Sequence, residues 1–80
     1  MTWHIYIIEC ADGSFYTGIT TDLYKRVAAH NDGLGAKYTK PRRPVRLLYS
    51  ETASNRSLAS RREYRIKSLS KSAKIKLIEG

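Results

Sequence analysis

Trp3-His4-Ile5-Tyr6-Ile7-Ile8-Glu9-Cys10-Ala11-Asp12-Gly13-Ser14-Phe15-Tyr16-Thr17-Gly18-Ile19-Thr20 is the stretch on which the fold turns. Two runs rich in β-branched and aromatic residues flank Ala11-Asp12-Gly13, a turn signal, so the segment predicts a β-hairpin. Loop length sets its register, because a slip of one residue moves every side chain to the other face of the sheet. A two-residue turn at Asp12-Gly13 would oppose Tyr6 to Ile19 and send Tyr16 to the face away from Tyr6. A three-residue loop, with Gly13 in the left-handed position of a bulge, opposes Cys10 to Ser14, Ile8 to Tyr16 and Tyr6 to Gly18. That register gathers His4, Tyr6, Tyr16 and Thr20 on one face, the two tyrosines being diagonal neighbours about 7–8 Å apart. Trp3, Ile5, Ile7, Phe15 and Ile19 fall on the other. The three-residue loop is therefore expected, since it separates an apolar face from a polar-aromatic one.

Outward from the hairpin, Thr20, Thr21 and Asp22 offer cap chemistry for a helix running to about His30, which Asn31, Asp32 and Gly33 end. Leu23 and Val27 lie one turn apart and are expected in the core, while Asp22, Arg26 and His30 form a separate stripe. Gly33 to Pro44 reads as a loop, and Val45 to Glu51 as a third strand. A second helix is expected after Ser54 or Asn55, running to Leu69 with Leu58, Ala59, Ile66 and Leu69 on one stripe. Arg62 falls within that stripe and must either reach outward or pair with an acid. Ser70 is placed to cap a final helix with Ala73 and Leu77 inward. The order is β-β-α-β-α-α, a small α/β domain on a mainly antiparallel sheet.

The chain has 80 residues, with 15 Lys and Arg against 7 Asp and Glu, a net charge of +8 and a pI near 9.9. This length predicts a single domain over residues 1–80 with no appended targeting module, and 41% hydrophobic residues suffice for a small core. One cysteine, Cys10, excludes a disulfide framework and a multi-thiolate zinc site; it reads as a buried strand thiol. No apolar run is long enough to span a membrane, and no signal-peptide pattern opens the chain, so a cytoplasmic protein is expected. His4 and His30 are too few to complete a zinc site, and no Walker pattern occurs. The charge excess points to a polyanionic partner, most simply nucleic acid.

Phosphodiester cleavage needs an activated water, positive charge near phosphorus and help for the departing oxygen. Tyr6, Tyr16, Arg26, His30 and Glu63 include the residue types for those tasks. One carboxylate suffices to anchor Mg²⁺ or Mn²⁺ when water and phosphate oxygens fill the other positions. Taken singly, each of these residues has a plainer reading as packing or solvated charge.

Taken together they resemble the GIY-YIG nuclease superfamily, and in particular its small single-domain bacterial members. The signature tripeptides stand as His4-Ile5-Tyr6 and Tyr16-Thr17-Gly18, with His4 and Thr17 replacing the usual Gly and Ile. Thr20-Thr21-Asp22-Leu23, Arg26 with His30, Gly33-Leu34-Gly35-Ala36-Lys37-Tyr38-Thr39, and Ser57-Leu58-Ala59 with Glu63-Tyr64 and Ile66-Lys67 follow at family spacing. The resemblance implies a three-stranded antiparallel sheet flanked by helices and metal-dependent endonuclease activity on DNA, structure-specific and related to repair or recombination. Tyr6 would be the general base or water-orienting phenol, Tyr16 would position water or phosphate, and Arg26 would stabilise the transition state. His30 would share proton transfer or phosphate contact, and Glu63 would bind the metal, Mg²⁺ or Mn²⁺. Many members carry an Asn after the metal-binding helix; none occurs here beyond Asn55, and Lys67 or Lys71 is expected to make the phosphate contact instead.

Nucleic-acid contact is further expected from Lys37, Tyr38, Lys40, Arg42 and Arg43, with Tyr38 available to stack. DNA is preferred to RNA as the partner. Two other readings fit the same residues: a non-catalytic nucleic-acid-binding module with this fold, or a subunit that cleaves only with a protein partner.

Overall fold

The computed structural model describes residues 1–80. Strands β1 (Trp3–Glu9), β2 (Phe15–Thr20) and β3 (Arg46–Ala53) form one antiparallel sheet in the order β2-β1-β3. Helix α1 (Leu23–Asn31) follows β2, and α2 (Arg56–Lys67) and α3 (Lys71–Glu79) follow β3. The order is the expected β-β-α-β-α-α. No helix is long and apolar enough to cross a membrane.

The hairpin closes in the three-residue register. Tyr6 pairs with Gly18 and Ile8 with Tyr16, Cys10 N–H donates to the Ser14 carbonyl at 2.8 Å, and Gly13 sits at φ +83°. Each helix starts on a polar cap. Asp22, Asn55 and Ser70 accept from the backbone N–H of Lys25, Leu58 and Ala73, respectively, and each such cap contributes about 1 kcal/mol. α1 ends by a Schellman arrangement in which Gly33 N–H donates to the His30 carbonyl and Leu34 N–H to the Ala29 carbonyl.

Alternation along the central strand β1 feeds two cores. Ile5 and Ile7 meet Ala59 and Ile66 of α2, flanked by Trp3, Phe15, Ile19, Tyr49, Leu77 and Ile78. Tyr6, Ile8 and Cys10 meet Val45 on the opposite face, with Tyr16 and the α1 residues Leu23 and Val27. Cys10 is a free, buried thiol, as expected. The tyrosine face is thus no open polar surface, because α1 crosses it and encloses the phenol ring of Tyr6.

Two boundaries differ from expectation. β3 runs on to Ala53, carried by pairing to Trp3 and His4 past a bulge opposite Ile7 and Ile8. α2 stops at Lys67 and buries only Ala59 and Ile66, leaving Leu58 45% and Leu69 38% exposed. A sheet of three strands offers a narrow floor, and Leu69 lies beyond the last helical turn. Arg62 pairs with an acid: its Nε donates to Glu51 on β3, which also accepts from the Tyr49 hydroxyl.

Thr17 faces the Ile5–Ile7 core, and its Oγ1 is buried without a hydrogen-bond partner. A buried unsatisfied hydroxyl costs about 1–3 kcal/mol. Thr17→Val keeps the shape and removes the hydroxyl, so it is expected to stabilise the fold by about 1 kcal/mol. A denaturant midpoint equal to or below that of the parent would refute this account.

Candidate active site

The loop from Gly33 to Pro44 returns over the C-terminal end of α1, and this return brings the site together. Asn31 exchanges two hydrogen bonds with the backbone of Val45, at 3.1 and 2.7 Å. Ala11 N–H donates to the Arg42 carbonyl at 2.8 Å, tying the loop to the hairpin. Within this frame Thr39 and His30 are fully buried.

His30 stands between two partners. Its Nε2 lies 2.8 Å from the Tyr6 hydroxyl and its Nδ1 2.8 Å from Thr39 Oγ1. The Thr39 hydroxyl donates its own proton to the Ala36 carbonyl at 3.2 Å, so toward His30 it acts as an acceptor. Nδ1 therefore carries the imidazole proton, Nε2 is a lone pair, and Tyr6 is the donor in the contact with Nε2. Arg26 Nε donates to the same Tyr6 oxygen at 3.4 Å, and its Nη2 donates to the Gly35 carbonyl at 2.9 Å.

Two glycines make room for this arrangement. A Cβ at Gly18 would lie 2.5 Å from the Tyr6 hydroxyl oxygen, and one at Gly35 would fall on His30 Nδ1. The glycine of the second signature tripeptide is thus the space that the tyrosine of the first one occupies.

Electrostatics follow from the same geometry. Burial lifts the pKa of Tyr6 above the ordinary phenol value, against the opposing pull of Arg26. Burial, and then the charge of Arg26, push His30 below the ordinary histidine value. At neutral pH the pair is a neutral phenol donating to a neutral imidazole. Because the folded pKa of His30 is depressed, its contribution to stability is present above about pH 6.5 and is lost as pH falls through the folded value.

Thr39→Val removes the acceptor that fixes the imidazole tautomer. The expected result is a stability loss of about 1–3 kcal/mol, from a buried N–H left unpaired. Imidazole ¹⁵N spectra should show Nδ1 protonated in the parent and a tautomer mixture in the variant; unchanged spectra would refute the assignment. The same spectra should place the His30 midpoint below about 6.5.

Tyr16 lies over this pair with its ring centroid 5.3 Å from that of His30. Tyr38 stacks on Tyr16 at 6.0 Å, and the Arg42 guanidinium covers Tyr38 at 4.1 Å. Arg42 is also bound to Asp12 and to the Tyr38 carbonyl, and Arg43 to the carbonyls of Lys40 and Asn31. Of the five loop residues expected to meet nucleic acid, those two arginines brace the loop, Tyr38 joins the stack, and Lys37 and Lys40 extend exposed.

Glu63 comes from α2 on the far side of the sheet, yet its charge is felt at the Tyr6 phenol. Its carboxylate pairs with Lys67 at 3.3 Å, and Lys67 Nζ lies 6.0 Å from the Tyr16 ring centroid. Lys71 donates to the Gly13 carbonyl at 2.7 Å. No three His, Cys, Asp or Glu side chains converge in the chain. A cation at Glu63 would have one protein carboxylate, with water and phosphate oxygens as its other ligands, a hard-oxygen set that suits Mg²⁺.

The site is therefore layered. Tyr6, His30 and Thr39 are buried, while Tyr16, Arg26 and Glu63 are half-exposed above them. Tyr6, Tyr16, Arg26 and His30 come together around the phenol, with Glu63 and Lys67 at its margin. Sequence reasoning missed Thr39 and the steric role of Gly35, although both lie within the quoted loop motif.

Comparison with known proteins gives the family. A UPF0213 protein of Halobacterium salinarum is 58% identical over 71 residues, covering 89% of this chain and 92% of that one. A UPF0213 protein of Staphylococcus haemolyticus is 55% identical over 76 residues, covering 95% and 93%. The solution structure of a UPF0213 protein from Bacillus halodurans superposes with a TM-score of 0.63 at 44% identity, covering 99% of this chain and 84% of that one. A second solution structure, of a protein from E. faecalis, gives 0.67 at 38% identity with the same coverage. Residues 2–76 match the GIY-YIG catalytic domain, and with both signature tyrosines meeting at one histidine the chain belongs to the GIY-YIG family of nuclease domains.

Proposed function

We propose that this protein is a metal-dependent endonuclease that hydrolyses phosphodiester bonds in DNA, acting in the cytoplasm on structured substrates of repair or recombination. The observation that carries the reading is the Tyr6 phenol held between Arg26 and a neutral His30 whose Nε2 lone pair faces it. The family relation supports phosphodiester chemistry.

In this mechanism Arg26 meets the scissile phosphate. Its bond to Tyr6 is long at 3.4 Å and therefore weak, so a phosphate that replaces this bond and the one to the Gly35 carbonyl draws the guanidinium outward and uncovers the phenol oxygen. Withdrawal of that positive charge also releases one of the two influences that depress the His30 pKa. Tyr6 then takes a proton from the attacking water while passing its own to His30 Nε2. The Tyr16 hydroxyl, which has no protein partner, orients water or phosphate, and Lys67 contacts a neighbouring phosphate. Glu63 would hold Mg²⁺ or Mn²⁺, which would supply charge neutralisation at the phosphate and the departing oxygen. Lys37, Lys40 and the Arg42–Tyr38 brace line the approach of the strand.

The test is a cleavage assay on labelled linear, flap and branched DNA, with and without Mg²⁺ or Mn²⁺. Metal-dependent nicking, strongest on branched DNA, is expected. Absence of cleavage across the whole panel, DNA and RNA, would refute the enzymatic reading and leave a binding module.

A further inference from the structure

We infer that the outward face of α2 is a second nucleic-acid contact, which holds a segment of phosphodiester backbone other than the one on the tyrosine face. This rests on the reading that the tyrosine face takes nucleic acid. Arg61 and Arg65 stand one turn apart on this face, with Ser57, Ser60 and Tyr64 lining the same shallow depression. Tyr64 is 76% exposed and offers its ring for stacking beside the two guanidiniums.

Two observations favour an anionic occupant. Like charges at this spacing repel across a helix turn and destabilise it. Neither arginine has an acidic partner: the acids nearest on α2 and β3 are engaged, Glu63 by Lys67 and Glu51 by Arg62. A phosphate between Arg61 and Arg65 relieves the repulsion, with the two serine hydroxyls as further donors.

The geometry separates this face from the catalytic one. Arg61 and Arg65 each stand two residues from Glu63, about 200° around the helix at 3.6 residues per turn. A strand lying against Glu63 and Lys67 cannot reach them without wrapping α2. The second face must take a different segment, such as another arm of a branched molecule.

The test uses the full chain carrying Glu63→Gln, so that binding is read without cleavage, and compares a three-way DNA junction with a short linear duplex. R61E/R65E is expected to weaken junction binding at least about tenfold and to make its log–log salt slope shallower by about 1.8, two phosphates at about 0.9 each. Binding of the short duplex should stay within about twofold, since it fills only the tyrosine face. R61Q/R65Q should move the junction affinity in the same direction, and it carries the test alone if the glutamate variant fails to fold. Equal loss on both substrates, or loss on neither, overturns the second surface. A chain that binds but never cuts would refute the nuclease reading while leaving this measurement intact.

Discussion

Glu63→Gln is expected to abolish metal-dependent cleavage, lowering the rate by about 10³-fold or more, the scale of losing a principal source of transition-state charge stabilisation. The substitution keeps the size of the side chain, and Glu63 is not among the fully buried residues, so folding should be unaffected. Its diagnostic signature lies in binding. Without metal, the Glu63 carboxylate is a negative charge facing phosphates, and it also occupies Lys67 at 3.3 Å. In the presence of a chelator, Glu63→Gln should therefore bind DNA more tightly than the parent, an advantage that disappears when Mg²⁺ is added. Fluorescence anisotropy with and without metal reads this crossing. Retained cleavage, or chelator affinities that do not differ, would remove Glu63 from the metal site.

Tyr6→Phe is expected to lower the cleavage rate by about 10²–10⁴-fold, the usual contribution of a positioned proton-transfer group. Phenylalanine preserves the ring packing beneath Gly18 but leaves His30 Nε2 without its donor at 2.8 Å. A stability loss of about 1–3 kcal/mol accompanies it, so activity must be compared at temperatures where both proteins are folded. A base role predicts loss in kcat with KM little changed, because Tyr6 is buried and adds nothing to ground-state binding. In the parent, the acid limb of the pH–rate profile should follow His30 and fall below about pH 6.5. Cleavage by the variant within tenfold of the parent would show that the phenol is a packing group.

The hairpin was legible in the sequence because alternation and loop length are local quantities: only one register put Ile5 and Ile7 on one side and both tyrosines on the other. Capping by Asp22, Asn55 and Ser70 was equally local. What escaped was tertiary. Arg62 violated the α2 stripe because its partner Glu51 sits on a neighbouring strand. Leu58 and Leu69 fitted a helical period that the narrow sheet does not use. Thr39 and Gly35 lie in a loop, where no periodicity marks a residue that returns to touch a helix nine positions or fewer away. The roles of Arg42 and Arg43 as braces were hidden for the same reason, since charge alone looks identical on a free and on an engaged guanidinium.

The loop Ala11-Asp12-Gly13 sets the phase of a two-sided ribbon. A single residue inserted or deleted there would leave composition, charge and strand propensity nearly untouched. It would nevertheless exchange the sides of β2 relative to β1, turning Tyr16 toward the isoleucines and Phe15 or Thr17 toward His30. Hydrophobic interior and reactive surface are interleaved along one strand and cannot be shifted separately. Length variation between the signature tripeptides would thus be inherited as an all-or-none change, while substitutions on either side of the strand remain free to act one at a time.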